Sequence, residues 1–263
     1  MTATAPGAVP EHTVDAFHRG GFWLVQPAKG GHRAGMDAMM LAAAVPSDFC
    51  GQVADFGAGA GAAGLAVVSR CERARATLVE RSSDMAAFAE ASLGHPANQH
   101  LSDRVEVLRA DVTLVGKART AAGLADNKFD FAIMNPPFNA GEDRATPDAL
   151  RREAHVMDDG LFEAWVRSAA AVVKPRGGIA IIARPESLVA ILDALAGRFG
   201  SAQIIPVHPR ADQAAIRIVL RAFLGLRGKL ALLPPLVLHD ANHKGLLPRA
   251  DAISNGVASL FGD

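Results

Sequence analysis

From about residue 51 the chain alternates short apolar runs with longer helical stretches, and this constrains its fold more than any other feature. Apolar runs of strand length separated by helical segments mark a parallel sheet covered on both faces. The pattern predicts strands at 52–56, 76–80, 104–108, 129–134 and 178–183, and helices at 61–70, 82–93, 160–173 and 186–197. Gln203–Val207 and Ala214–Phe223 are separated by only a short loop, which suits a terminal antiparallel pair. The expected fold class is α/β, with a seven-stranded, mainly parallel sheet and helices on both faces. Pro175-Arg176-Gly177-Gly178 reads as a helix stop and turn before the fifth strand.

Ahead of this region, Phe22–Val25 reads as a strand, Pro27–Gly31 as a turn and Met36–Val45 as a helix. The first twelve residues are small and Pro-containing and have no basic leader region, so they read as a disordered start. After the core, Pro234-Pro235 marks a break, Leu236–His239 adds a short strand, and 240–263 ends in a weak helix. The expected organisation is an N-terminal tail and extension over 1–46, a core over 47–232 and a C-terminal basic extension over 233–263. At 263 residues, half of them hydrophobic, the chain is long enough to bury a large core. With only Cys50 and Cys71 a disulfide framework is not expected, and a reducing cytoplasm fits. No apolar run reaches membrane-spanning length.

Formal net charge is zero, but its distribution is uneven. Residues 198–249 carry eight Lys/Arg against Asp212 and Asp240, and residues 17–36 carry Arg19, Lys29 and Arg33 with no acid. Residues 72–163 hold sixteen acids and eleven bases. Both ends of the chain therefore offer basic residues to a nucleic acid partner, or simply to solvent.

Two motifs carry chemistry. The first is Asp55-Phe56-Gly57-Ala58-Gly59-Ala60-Gly61, at a strand-to-helix turn. Its missing β-carbons let backbone approach a ligand. Glu80 ends the next predicted strand, where a carboxylate can accept two ribose hydroxyl protons, and Asp111 follows the third. Gly59-Ala60-Gly61-Ala62-Ala63-Gly64 also matches the dinucleotide fingerprint, with Glu80 at the expected distance, so spacing at this loop does not exclude NAD. Asp55 before the first glycine favours instead the pattern that resembles an S-adenosylmethionine (SAM) site. Nothing in the sequence calls for a metal.

The second motif is Asn135-Pro136-Pro137-Phe138, directly after the apolar run 129–134. Paired prolines end a strand and stiffen the turn. The Asn135 amide oxygen and Pro136 carbonyl can each accept one N–H of a planar exocyclic amine. Phe138 can stack on a base. Such contacts strengthen as positive charge grows on the nitrogen, so they favour the transition state over the ground state.

With both motifs in place, residues 17–240 resemble the class I SAM-dependent amino-methyltransferases of the Asn-Pro-Pro-(Tyr/Phe) type, whose fold is Rossmann-like. The chain is most similar to the bacterial tRNA (adenine 37-N6)-methyltransferase family acting on a valine tRNA. The closer likeness lies in His32-Arg33-Ala34-Gly35-Met36-Asp37, in Asp55–Gly61, in Ala145-Thr146-Pro147, and in Arg151-Arg152-Glu153-Ala154-His155. The resemblance implies that Gly57, Gly59, Gly61, Glu80 and Asp111 bind SAM, with Asp55 in the cofactor loop and Asp37 and Asn135 near the methionine end. It implies RNA, in particular tRNA, as partner, with Arg152 and His155 ordering the loop or touching RNA. Met36, Met39, Met40, Trp23 and Trp165 read as packing residues. Guanine N2 in ribosomal RNA, a protein glutamine amide and DNA adenine present the same planar amine, and a non-catalytic SAM- or RNA-binding module is a further alternative.

Overall fold

Residues 9–29, 34–136, 148–240 and 245–263 are described by a computed structural model, side chains of 148–159 excepted. The first elements are two strands, β1 (His12–Phe17) and β2 (Phe22–Pro27), paired as an antiparallel hairpin. They are followed by helix α1 (Met36–Ala42). The core then runs β3 (Gly51–Phe56), α2 (Ala62–Arg70), β4 (Ala74–Glu80), α3 (Ser83–Leu93), β5 (Val105–Arg109) and α4 (Gly116–Ala121). It continues through β6 (Phe129–Met134), α5 (Asp148–Val172), β7 (Val173–Ala183), α6 (Leu188–Leu195), β8 (Phe199–His208) and β9 (Arg217–Leu224). Two short strands, β10 (Ala231–Leu232) and β11 (Leu236–Val237), and helix α7 (Pro248–Ser254) complete it.

The sheet order is β10-β8-β9-β7-β6-β3-β4-β5, with β11 also paired to β8. Strands β3 to β7 are mutually parallel, and β9 is antiparallel to both of its neighbours, β7 and β8. Successive strand residues feed two cores. Val53, Ile133, Ala180 and Val219 face the side covered by α1, α2 and α3, while Ala54, Ala132, Ile181 and Leu220 face α5 and α6. Burial on both faces explains why these strands read as continuous apolar runs rather than as alternating ones.

The seven core strands and their mainly parallel arrangement match expectation, and four local differences are instructive. Residue 12, the last of the expected disordered start, opens β1, a strand outside the expected elements over 12–17, so the N-terminal extension is a hairpin plus a helix. Pro175–Gly178 does not separate α5 from the next strand. Strand β7 begins at Val173, opposite Phe129, and the Pro-Arg-Gly segment is absorbed as an irregularity with Arg176 left-handed at φ 68°. Gly178 is required there by the Phe131 ring, which fills the space a β-carbon would take. Helix α4 went unread, because only Arg119 of its six residues is buried and no apolar period announces it. The C-terminal segment is docked on the core: the Leu260 N–H donates to the Ala43 carbonyl, and Leu260 is fully buried. Expected strand 236–239 is present as β11, with His239 bridging to Leu246. Gly30 and Gly31 of the expected turn lie outside the described residues.

Cys50 and Cys71 are free. Among the described residues, no helix is long and apolar enough to cross a membrane.

Candidate active site

The sheet order reverses direction at β3: the chain steps outward to β4 and β5 on one side, then returns to β6 on the other. A crevice outside the carboxyl ends of the strands opens at such a switch point. The two motifs meet there, because the glycine loop follows β3 and Asn135 follows β6, its direct neighbour. Glu80 closes β4, and Asp111 lies two residues beyond β5.

The loop is held by its neighbours. Gly57 and Ala58 N–H groups both donate to the Val79 carbonyl, at 2.9 and 3.1 Å. Gly57 is left-handed (φ 67°), and an added β-carbon would sit 2.6 Å from Trp165 Cη2. Trp165, on α5, thus wedges the loop from behind, consistent with its reading as a packing residue. Gly61 (φ 92°) caps α2, and Leu78 fills the space beside it. One Glu80 carboxylate oxygen accepts from the Gly59 N–H at 2.9 Å, the other from the Ser82 N–H at 2.8 Å. A carboxylate has about four acceptor positions, so two remain for a ligand's hydroxyls.

Asp55 stands apart from the other acids. It is buried beneath the loop, and its Oδ2 accepts the Gly64 N–H at 2.8 Å, tying β3 to the first turns of α2. This geometry makes Asp55 a support of the loop rather than a group facing a ligand. Burial pushes its carboxyl up to about 7; the Gly64 hydrogen bond opposes that rise and the nearby Glu80 charge adds to it. Asp111 behaves oppositely. Burial works to raise it, but hydrogen bonds from the Thr113 N–H and hydroxyl, aided by Arg81, hold it below the usual carboxylate range.

Asp37 lies in the first turn of α1, where its Oδ2 accepts from Arg217 Nε at 2.8 Å. Arg217 opens β9, and because β9 runs antiparallel to β7 its first residue falls at the same end of the sheet as Asn135. Sequence inspection counted Arg217 only toward a basic segment; no local pattern links positions 37 and 217.

Asn135 is half-buried and Pro136 buried. The Asn135 Oδ1 is itself buried and has no hydrogen-bond partner among the described residues. An unmet buried acceptor costs about 1–3 kcal/mol, so such an atom calls for a donor from the chain, from water or from a ligand. Pro137, Phe138 and Ala145–Pro147 lie outside the described residues, as do His32 and Arg33. Residues 151–155 fall on α5, with side chains outside the description.

Comparison with known proteins gives the family and the fold. Residues 33–207 match the family described as the methyltransferase small domain. A solved structure described as a predicted O-methyltransferase from Agrobacterium tumefaciens is 42% identical, covers 85% of this chain and 97% of its own, and superposes with a TM-score of 0.75. The T. thermophilus 16S rRNA N2 G1207 methyltransferase RsmC, solved with AdoMet and guanosine, shares the fold at 20% identity and TM-score 0.54, over 81% of this chain and 50% of its own. M. jannaschii TYW2, solved with AdoMet, shares it at 10% identity and TM-score 0.53, covering 82% of this chain and 87% of its own. A search of curated proteins returned no match. The chain belongs to the methyltransferase small domain family and has the Rossmann-like fold of the class I SAM-dependent methyltransferases.

Proposed function

We propose that this SAM-dependent methyltransferase acts on an exocyclic amine, N6 of adenine in tRNA, and that residues 47–232 are its catalytic core. The observation that carries the proposal is the buried Oδ1 of Asn135 at the carboxyl end of β6, without a hydrogen-bond partner among the described residues and followed at once by Pro136. Both a side-chain and a main-chain acceptor are thereby offered to the two N–H bonds of one NH2 group.

SAM supplies an electrophilic methyl group. When bound, SAM would meet the loop backbone at Gly59, Glu80 would accept from its ribose, and Asp111 and Asp37 would serve its base and methionine ends, whereas the glycines at 57 and 61 make room for Trp165 and Leu78. Asn135 and the Pro136 carbonyl hold the acceptor nitrogen so that its lone pair leaves the plane of the ring. They gain strength as that nitrogen becomes cationic, which places their contribution in the transition state. Phe138 stacks on the base. A strong general base is unnecessary, because the methylated nitrogen loses its proton readily once charged.

Transfer to oxygen is the second reading, favoured by the description of the Agrobacterium relative. A hydroxyl acceptor needs a base to take its proton, and the amide of Asn135 cannot act as one. Guanine N2 and a glutamine amide fit the Asn-Pro-Pro-Phe turn as adenine does. The closer likeness of 32–37 and 145–155 to the valine tRNA family supports adenine.

The test is methyl transfer from labelled SAM to total tRNA from a strain lacking the gene. Asn135→Ala is expected to lose at least about 100-fold in kcat, the order seen when one transition-state acceptor or donor is removed, with SAM affinity changed little. Equal turnover by both proteins would sink the proposed role of Asn135.

A further inference from the structure

The basic residues of 198–249 do not form one surface. Arg217 is tied to Asp37, Arg221 is buried against Asp263 and Gln203, and Arg249 donates to the Leu260 carbonyl. Strand direction separates the others. The carboxyl end of the sheet carries Arg210 and Arg184, offset by Asp212 and Glu186. Because β9 runs against β7, residues beyond Leu224 emerge at the opposite end, beside the start of β7 and β8.

A second group of cations lies at that amino end. Arg227 and Lys229 follow β9, and Arg176 projects from the irregular start of β7. All three are exposed, and none forms an ion pair among the described residues. Lys174 and Arg198 stand nearby, each matched by an acid: Asp130 at 2.7 Å and Glu163 at 2.7 Å. The excess charge is therefore carried by Arg176, Arg227 and Lys229.

The backbone here is built rather than loose. The Gly225 N–H donates to the Arg198 carbonyl at 2.9 Å, fixing the segment after β9 against β8. Two non-glycine residues are left-handed, Arg176 at φ 68° and Ser201 at φ 54°, and each lies at a break in strand register. Bulges of this kind re-aim side chains, and strained backbone persists only where its surroundings hold it.

We infer that Arg176, Arg227 and Lys229 form a docking site for the phosphate backbone of the RNA substrate, separate from the site that receives the target base. The inference rests on RNA as the acceptor. Six residues of β6 at about 3.3 Å each put this patch about 20 Å from Asn135. A folded RNA can span that distance, whereas a trinucleotide seated at Asn135 does not reach the patch.

The test compares an unmodified valine tRNA transcript with a trinucleotide centred on the target adenine. The triple variant Arg176→Gln/Arg227→Gln/Lys229→Gln is measured for methyl transfer, for direct binding of each RNA and for SAM affinity. For the full transcript, KM should rise at least about tenfold and the slope of log affinity against log salt should fall by about 2–3, as three lost phosphate contacts require. Values of kcat, SAM affinity and all trinucleotide parameters should stay at wild-type levels, and Arg227→Lys with Lys229→Arg should retain transcript binding. An unchanged KM and salt slope for the transcript would overturn the inference, as would an equal loss on both RNAs. If the wild type binds the transcript through the patch but methylates neither RNA, the acceptor assignment fails while the docking site stands.

Discussion

At Gly57 one residue meets two independent constraints: a left-handed backbone and the edge of the Trp165 indole, 2.6 Å from where a β-carbon would be. Gly57→Ala should destabilise the fold by on the order of 1–3 kcal/mol, and shortening the wedge with Trp165→Phe should recover part of that loss. Urea unfolding of the two single variants and the double variant checks this, and simple additivity would count against the wedge. Asp55 and His18 make a paired prediction with opposite signs. The folded pKa of Asp55 is raised to about 7, so its contribution to stability is fully present near pH 4 and is lost as pH rises through 7. His18 is lowered to about 4, first by burial and then by Arg70, so its contribution is present above about 6.5 and is lost as pH falls toward 4. Unfolding free energies at pH 5 and pH 8 should show Asp55→Asn removing a loss on the alkaline side. His18→Asn, which also tolerates the left-handed φ of 50°, should remove a loss on the acid side. An unaltered pH slope in either variant would contradict its assignment. Neither residue's role was legible in the sequence, since burial depends on partners far along the chain.

Elements show where sequence pattern suffices and where it does not. Strands β3, β4 and β6 were readable because each is a compact apolar run bounded by turn residues. The turns at Gly57 and Asn135 were readable because glycine spacing and paired prolines act locally. Strand β1 was not readable, because its exposure alternates along HTVDAF and little of it is buried. The hairpin is secured by side chains. Asn98 Oδ1 accepts the Trp23 N–H at 2.8 Å, its Nδ2 donates to the Trp23 and Ser92 carbonyls, and the Ser92 hydroxyl accepts the Val25 N–H at 2.9 Å. These two side chains satisfy the outer edge of β2, where no third strand pairs among the described residues. Removing Asn98 leaves several buried backbone groups unmet, so Asn98→Ala should cost on the order of 2–3 kcal/mol. Hydrogen exchange at Trp23 and Val25 should accelerate in that variant while β3 and β6 stay protected. Uniform acceleration across the sheet would mean that the hairpin is not held separately.

Across the whole molecule, one arginine joins segments that sequence inspection kept apart. Arg221 of β9 pairs with Asp263 at 2.8 Å, hydrogen-bonds Gln203 of β8 at 2.9 Å and lies 4.1 Å from the Phe261 ring centroid. Arg221→Ala should destabilise the protein by on the order of 1–3 kcal/mol, through the lost hydrogen bonds to Gln203 and the lost packing on Phe261, since Asp263 is half-exposed and hydrates when its partner is removed. A thermal midpoint unchanged from wild type would deny the clamp. Net basicity of residues 198–249 was plain in the sequence, but its division into an internal clamp, a tie to Asp37 and an exposed distal patch follows from strand direction alone. The same logic sets the chemistry: the β3–β6 neighbourhood, not any single motif, brings the glycine loop, Glu80 and Asn135 to one crevice. Methyl transfer to an exocyclic amine is tested most directly by identifying the methylated atom. After reaction of wild-type protein with labelled SAM and unmodified valine tRNA, the RNA is digested to nucleosides and resolved by mass spectrometry. The label should appear in N6-methyladenosine and fall to background with Asn135→Ala. Label in a 2′-O-methyl nucleoside, or N6-methyladenosine undiminished in the variant, would contradict the account.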